Sequence, residues 1–336
     1  MKNKIITTEQ HLFSKVAALI ELARRTVITT VNLTMVHTYF EIGRMIVEDE
    51  QQGEERAKYG KAILKELSKN LAERFGKGFS VDNLQNMRQF YLTYSIYETV
   101  SRKFILSWSH YLILIKIKTP EARSFYEIEC TTNSWSLREL ERQINTALYE
   151  RLALSRDKEK MKELGQKGQI ITEPQDIIKD PFILEFLGLK EETTYSESQL
   201  ETLIIDKMQS FLLELGKGFS FVGRQVRFTF DESHFKVDLV FYNRLLQCFV
   251  LIDLKIGKVT HQDLGQMQMY VNYYDRFEKT INEKPTIGIL LCQSKNDALV
   301  ELTLPKNANI YASEYNLYLP DKQLLQQKLL EWTTNA

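Results

Sequence analysis

The feature that most constrains this chain is a change in the spacing of its apolar residues. From Leu12 to about Leu152 they recur at three- and four-residue steps, as in Leu12, Val16, Leu19, Ile20 and Ala23, and again in Ile63, Leu64, Leu67 and Leu71. Steps of that size gather side chains on one face of a helix. After Leu215 the apolar residues fall instead into short runs, Phe219 to Val222, Gln225 to Phe230, Phe235 to Tyr242 and Cys248 to Lys255, rich in the β-branched and aromatic residues of strands. The pattern predicts α+β overall: an α-helical N-terminal domain followed by a C-terminal α/β domain.

Local signals divide the chain further. A helix ending near Phe75 runs into Gly76-Lys77-Gly78, and Ser80 is a good N-cap for the next helix, which predicts a helix-turn-helix-like pair. Asn133 or Ser134 is positioned to cap one helix from Trp135 to Leu152. Charged residues with Gly165, Gly168, Pro174 and Pro181 then mark a connector. The expected division is 1-156, a helical domain; 157-195, the charged connector; and 196-336, the α/β domain. Within the last, helices are expected from about Gln199 to Leu215 and His261 to Phe277, and a further strand over Thr286 to Cys292. The six-residue Phe75 to Ser80 stretch nearly recurs at Leu215 to Ser220 as reused turn chemistry.

With 43% apolar and 26% charged residues in 336, the chain has the composition of a folded globular protein. Its three cysteines, Cys130, Cys248 and Cys292, contain no C-x-x-C pairing, so the sequence suggests neither a disulfide framework nor a thiolate zinc site. A reducing cytoplasm suits such a chain. No apolar run reaches the length that spans a bilayer, and no membrane partner is expected. Net charge is zero, yet Arg56 to Lys118 holds 12 Lys and Arg against 4 Asp and Glu, a balance of +8, and Asp157 to Glu201 holds 6 against 11, a balance of −5. Arg56, Lys58, Lys61, Lys65, Lys69, Arg74 and Arg88 make phosphate contact by the helix pair plausible. Its rival is a homodimer formed through the aromatic stripe Phe90, Tyr91 and Tyr94.

The chemistry concentrates in Val250-Leu-Ile-Asp-Leu-Lys255. Residues two apart in a strand share a face, so Asp253 and Lys255 point one way and Ile252 and Leu254 the other. A hairpin centred between Leu245 and Leu246 sets Asp238 opposite Asp253. Like charges directly opposed across strands are destabilising, and the apolar neighbours imply burial, so the pair calls for a cation. A hard divalent ion such as Mg²⁺, held by carboxylates, water and phosphate oxygens, fits better than zinc, which prefers Cys or His. Lys255 beside it suits orienting or deprotonating a nucleophile and offsetting developing charge. The ordinary alternative is an exposed strand pair with an unrelated hairpin aspartate.

On the helix from about Gln199, Glu201 falls within the apolar arc and faces a sheet. It fits equally a capping box with Ser198, although Ser196 with Gln199 offers the same cap. Gln266 and Tyr270 lie four apart on one helix face, within reach of one phosphate or base. Thr260 and Asp263 read as that helix's cap. His234 and His261 read as surface residues.

Asp238, then Asp253-Leu-Lys255, then Gln266 to Tyr270 resemble the PD-(D/E)XK signature with the Q-x-x-x-Y extension of RecB-like nucleases. More closely, the chain resembles the bacterial YhcG-type family, in which an N-terminal domain of unknown function precedes such a nuclease domain. Tyr39-Phe-Glu-Ile-Gly-Arg44, Trp108-Ser-His110 and Phe219-Ser-Phe-Val-Gly-Arg-Gln225 carry that likeness. The resemblance implies a restriction-endonuclease-like fold with a mixed central sheet. It implies that Asp238, Asp253 and Lys255 are catalytic, Glu201 the helix acid, and Gln266 and Tyr270 accessory, with metal at Asp238, Asp253 and Glu201. It further implies Mg²⁺, with Mn²⁺ able to substitute, and DNA as substrate in genome defence or DNA processing. Two positions depart from the pattern: the second acid is Asp253 where Glu is common, and Val237 stands where the signature has proline. An RNA-directed nuclease and a non-catalytic nucleic-acid-binding or assembly protein are the competing functions.

Overall fold

A computed structural model describes residues 8–51, 59–95, 104–154, 158–189, 194–230, 232–305 and 307–334. Arg56 and Lys58 lie outside them, as does the side chain of Lys61. The chain divides into two compact units, Met1–Arg123 with Glu129–Leu140, and Ser124–Ile128 with Glu141–Ala336.

The helical grammar of the N-terminal half is borne out. The first unit carries α1 (Thr8–Gln51), α2 (Tyr59–Phe75), α3 (Val81–Tyr94) and α4 (Trp108–Leu114), and α5 (Pro120–Asn133) contributes to both units. Gly76 and Gly78 take left-handed φ of 81° and 122° between α2 and α3, where a side chain would be strained. Ser80 then caps α3 by accepting from Asn83 N–H at 3.2 Å. Gly43 is fixed by packing: a Cβ there would stand 2.1 Å from the Met87 carbonyl oxygen, so only glycine lets α1 cross α3 so closely. Phe90 is the hub of this core, with the Phe40, Phe104, Tyr111 and Trp108 rings around it. Phe90 and Tyr94 are therefore buried in their own unit and offer no aromatic stripe for dimer formation. Trp108 and His110 are likewise structural: the indole donates to Asn83 Oδ1 at 2.9 Å, and the imidazole contacts Ser107 Oγ and the Trp135 carbonyl.

The helix expected over Trp135 to Leu152 is two, α6 (Leu137–Asn145), which begins in the first unit and ends in the second, and α7 (Leu148–Leu154) of the second. Ala147 adopts φ 52° between them, and Arg151 Nε donates to the Thr146 carbonyl freed by the break at 2.8 Å. After α8 (Lys158–Lys167) and β1 (Phe182–Ile183), a second expected helix is again divided, into α9 (Glu197–Asp206) and α10 (Met208–Leu215), because Lys207 leaves helical geometry at φ −111°, ψ 28°. Then follow β2 (Phe219–Phe230), β3 (Ser233–Asn243), β4 (Cys248–Leu254), α11 (His261–Tyr273), β5 (Ile287–Cys292), α12 (Asp297–Thr303), β6 (Ile310–Asn316) and α13 (Lys322–Thr334). The two runs expected within 219–230 form one strand with an irregularity between Phe221 and Gly223.

The strands form one mixed sheet in the order β1-β6-β5-β4-β3-β2, antiparallel from β2 to β4 and parallel beyond. Leu239, Phe241, Ile252 and Leu254 pack toward Leu200, Ile204 and Phe211 of α9 and α10. Val240, Leu251 and Leu290 pack toward Leu264, Met267 and Val271 of α11. Beneath this runs a buried ion network: Glu214 meets Arg151 at 2.7 Å and Arg142 at 3.2 Å, and Lys179 donates to the Glu214 carbonyl. Burial would raise the Glu214 carboxyl, but Arg151, Lys179 and Arg142 hold it down at about 2.

Candidate active site

The β3–β4 ladder runs Asn243↔Cys248 through Leu239↔Ile252, which is the hairpin register expected from the sequence. The next step would set Asp238 against Asp253. There the ladder gives way to side-chain bonding: Asp238 Oδ2 accepts the Leu254 N–H at 2.9 Å, and Lys255 N–H donates to the Leu291 carbonyl of β5 at 2.8 Å. Lys255 Nζ lies 2.9 Å from Asp253 Oδ2, and Asp253 is only 3% exposed.

Burial and then the Asp253 charge push the Asp238 carboxyl up to about 6. Asp253 is raised as well, because burial outweighs the pull of Lys255. The contact between the two carboxyls raises Asp238 and lowers Asp253, so of the two Asp238 takes up a proton more readily. Burial works against the Lys255 ammonium, but Asp253, Glu197 and Asp263 outweigh it and hold Lys255 above its ordinary value. Without metal the site thus has too little positive charge for its two acids, and its lysine is protonated.

Two helices close around this pair. Ser196 and Gln199 form the capping box of α9, which leaves Glu201 out of the cap. Glu201 is 4% exposed; its Oε2 accepts from Gln225 Nε2 at 2.6 Å and its Oε1 has no hydrogen-bond partner among the described residues. Gln225 itself holds φ 48° in the middle of β2, between the pairs Arg224↔Leu239 and Val226↔Val237, and so across the ladder from Asp238. A left-handed glutamine inside a strand is a strained residue of the kind that collects at functional sites.

Glu197, which sequence reasoning did not single out, stands nearer the pair than its position suggested. Its Oε1 accepts the Ile256 N–H at 3.2 Å and its Oε2 is 3.9 Å from Lys255 Nζ. An acid in the first turn of a helix is the common dipole preference, so no sequence signal distinguished it. From α11, Asp263 forms the expected capping box with Thr260 and lies 3.8 Å from Lys255. Tyr270, 1% exposed, donates to the Lys236 carbonyl at 2.9 Å and accepts from Gln266, which ties α11 to β3 two residues before Asp238. His234 and His261 are exposed.

The donors brought together, two carboxylates without Cys or His, suit a hard divalent cation that keeps most of its waters. Among the described residues no three acidic, His or Cys side chains converge on one point. Glu201, with its orphaned Oε1, is turned to Gln225.

A mixed sheet flanked by α9 and α11, with two acids and a lysine where β3 and β4 part, defines a nuclease domain of the PD-(D/E)XK class. Residues 175–330 match the family model described as YhcG PDDEXK nuclease domain, and residues 15–151 match the DUF1016 N-terminal domain. The chain is 41% identical over 352 residues to a protein of Escherichia coli (strain K12) named "Putative nuclease YhcG", covering 96% of this chain and 93% of that one. It belongs to the YhcG family. Among solved structures it is similar to a repair endonuclease from Pyrococcus abyssi (19% identity, 39% of this chain, 50% of that chain, TM-score 0.27). It is also similar to the EndoMS-dsDNA2 complex (16% identity, 40% and 50%, TM-score 0.27), likenesses too slight to bear on substrate.

Proposed function

We propose that this protein is a divalent-metal-dependent nuclease that hydrolyses phosphodiester bonds in DNA, using Mg²⁺ with Mn²⁺ as a substitute. The observation that carries the reading is the convergence of Asp238, Asp253 and Lys255, with both carboxyls raised and the amine protonated. Asp238 and Asp253 would hold the ion, which when bound polarises the phosphodiester and favours a nucleophilic water. Glu201, whose free oxygen lacks a donor, completes the acidic set in this reading, with Glu197 beside it.

The chain's own residues supply the rest. Lys255, kept charged by Asp253, offsets negative charge developing on the scissile phosphate, a role that suits an ammonium better than general-base work. Gln266 and Tyr270 fix α11 against β3, and the exposed Gln266 presents its amide at the site's edge. The test is incubation of the purified chain with linear, branched and single-stranded DNA and with RNA, in Mg²⁺ and in chelator, beside Lys255→Ala. Metal-dependent DNA cleavage that the variant lacks, with nucleic-acid binding retained, is the expected result. Undiminished turnover by Lys255→Ala would remove its catalytic assignment, and preferential RNA cleavage would redirect the substrate.

A further inference from the structure

The apolar stripe that opens α1 is left exposed. Between Phe13 and Asn32 every described side chain except Ala17 is exposed. Phe13 is 75% exposed, Leu19 66%, Val27 61% and Val31 54%. Beyond them the same helix changes face: Val36 and Val47 are buried, and Phe40 packs on Phe90 and Phe104. Helix geometry of about 100° per residue puts Phe13, Val16, Ile20, Ala23, Val27 and Val31 within roughly 80° of one another, on the side nearly opposite Phe40. Their steps of three and four residues are those of a coiled-coil seam and not of scattered surface residues.

This half of the helix is also poorly made to stand alone. Thr26-Val-Ile-Thr-Thr-Val31 is an unbroken β-branched run, which lowers helix propensity, and most helical stability in proteins comes from packing of an apolar face. Thr26 and Thr34 return their hydroxyls to the carbonyls of Leu22 and Thr30 at 2.9 and 2.8 Å. A hydroxyl satisfied inside its own helix needs no water, and the threonine methyl is then free to face an apolar partner.

The seam specifies its own complement. Laid antiparallel on a copy of itself about the midpoint of Glu21 and Leu22, it sets Val16 against Val27 and Ile20 against Ala23 and brings Phe13 beside Thr30 and Val31, with the larger side chain opposite the smaller in the outer and inner layers. Apolar meets apolar throughout, as an isologous two-fold contact requires. A seam of this length buries on the order of 1,200 Å² in total, where stable interfaces begin. We infer that the N-terminal half of α1 pairs with the same segment of a second copy of this chain, antiparallel, to form a homodimer. This inference stands independently of the nuclease reading.

Sedimentation of the full chain at micromolar concentration tests it. The parent should sediment as a dimer, and Val27→Glu, which places a charge in the seam, should sediment as a monomer. Leu22→Glu changes an equally exposed residue on the far face of the same helix and should leave the dimer intact, which separates loss of pairing from general damage to the helix. The native cysteines in the described structure are all buried, so cysteines placed in the seam report orientation. Phe13→Cys chains mixed with Val31→Cys chains should cross-link on mild oxidation, whereas either alone should not. A monomeric parent, a dimer that survives Val27→Glu, or equal disruption by Leu22→Glu would overturn the pairing. Self-cross-linking of the single variants would overturn its antiparallel sense.

Discussion

Asp253 is held by opposing forces: a buried position and the Glu197 charge oppose its charge, and a lysine 2.9 Å away and the hydrogen bond with Asp238 favour it. Since the balance raises its pKa, Asp253→Asn should leave the metal-free protein at least as stable as the parent while abolishing most of the gain from metal. That gain is about 2.7 kcal/mol at one hundred times the dissociation constant, and thermal melts in chelator and in Mg²⁺ read both effects. Asp238 adds a pH dependence. Its folded pKa of about 6 lies above the unfolded carboxylate value, so its contribution to stability is complete below about pH 4 and is lost as pH rises through 6. In chelator, Asp238→Asn should flatten stability between those limits, and the Mg²⁺-induced rise in Tm should grow over the same window because the ligands must be deprotonated. Gln225 offers a separate test. Glycine at its left-handed position avoids a penalty of roughly 1 kcal/mol that alanine keeps. Both substitutions remove the donor to buried Glu201, so Gln225→Ala should melt below Gln225→Gly, and equal melts would show that no strain is stored there.

The elements are held in place partly by charges far from them in sequence. Arg151 of α7 and Glu214 of α10 are wholly buried and paired, and Tyr126 of α5 donates to the Gln143 carbonyl at 3.2 Å. Breaking a buried pair from one side costs about 3–5 kcal/mol, because the other charge is left without compensation. Arg151→Ala should lower stability by that order in a denaturant melt. By the same argument a fragment spanning 120–336 should unfold cooperatively, whereas one spanning 157–336, which leaves Glu214 without Arg142 and Arg151, should be markedly less stable. Equal midpoints for the two fragments would show the network to be dispensable.

For the molecule as a whole, net charge near zero conceals where nucleic acid is expected to lie. Lys65, Lys69 and Arg74 of α2 are exposed, whereas Arg88 is paired with Glu50 at 2.7 Å. Replacing the first three together by alanine should weaken nucleic-acid binding alike across sequences. It should also lower the slope of log affinity against log salt by roughly 0.7 to 0.9 for each phosphate that is no longer neutralised. Fluorescence anisotropy over a salt series reads this. An unchanged slope would move the nucleic-acid interface away from α2.

What the sequence determined by itself was whatever depends on short periods and local turns. The helical half, the glycine turn after Phe75, the Thr260–Asp263 cap and the strands β3 to β5 follow from spacing alone. So does the hairpin register that carries Asp238 toward Asp253, because a hairpin's register is set by its turn and every side chain's face follows from it. What only the tertiary structure decided depends on partners distant in the chain. The division of α6 from α7 rests on Ala147 taking a left-handed turn whose freed carbonyl a buried arginine satisfies. The strand β1, two residues long, exists because β6 lies beside it. The approach of Glu197 to Lys255, the turning of Glu201 to a strained Gln225 and the burial of Phe90 among aromatic rings likewise come from packing, which periodicity does not encode.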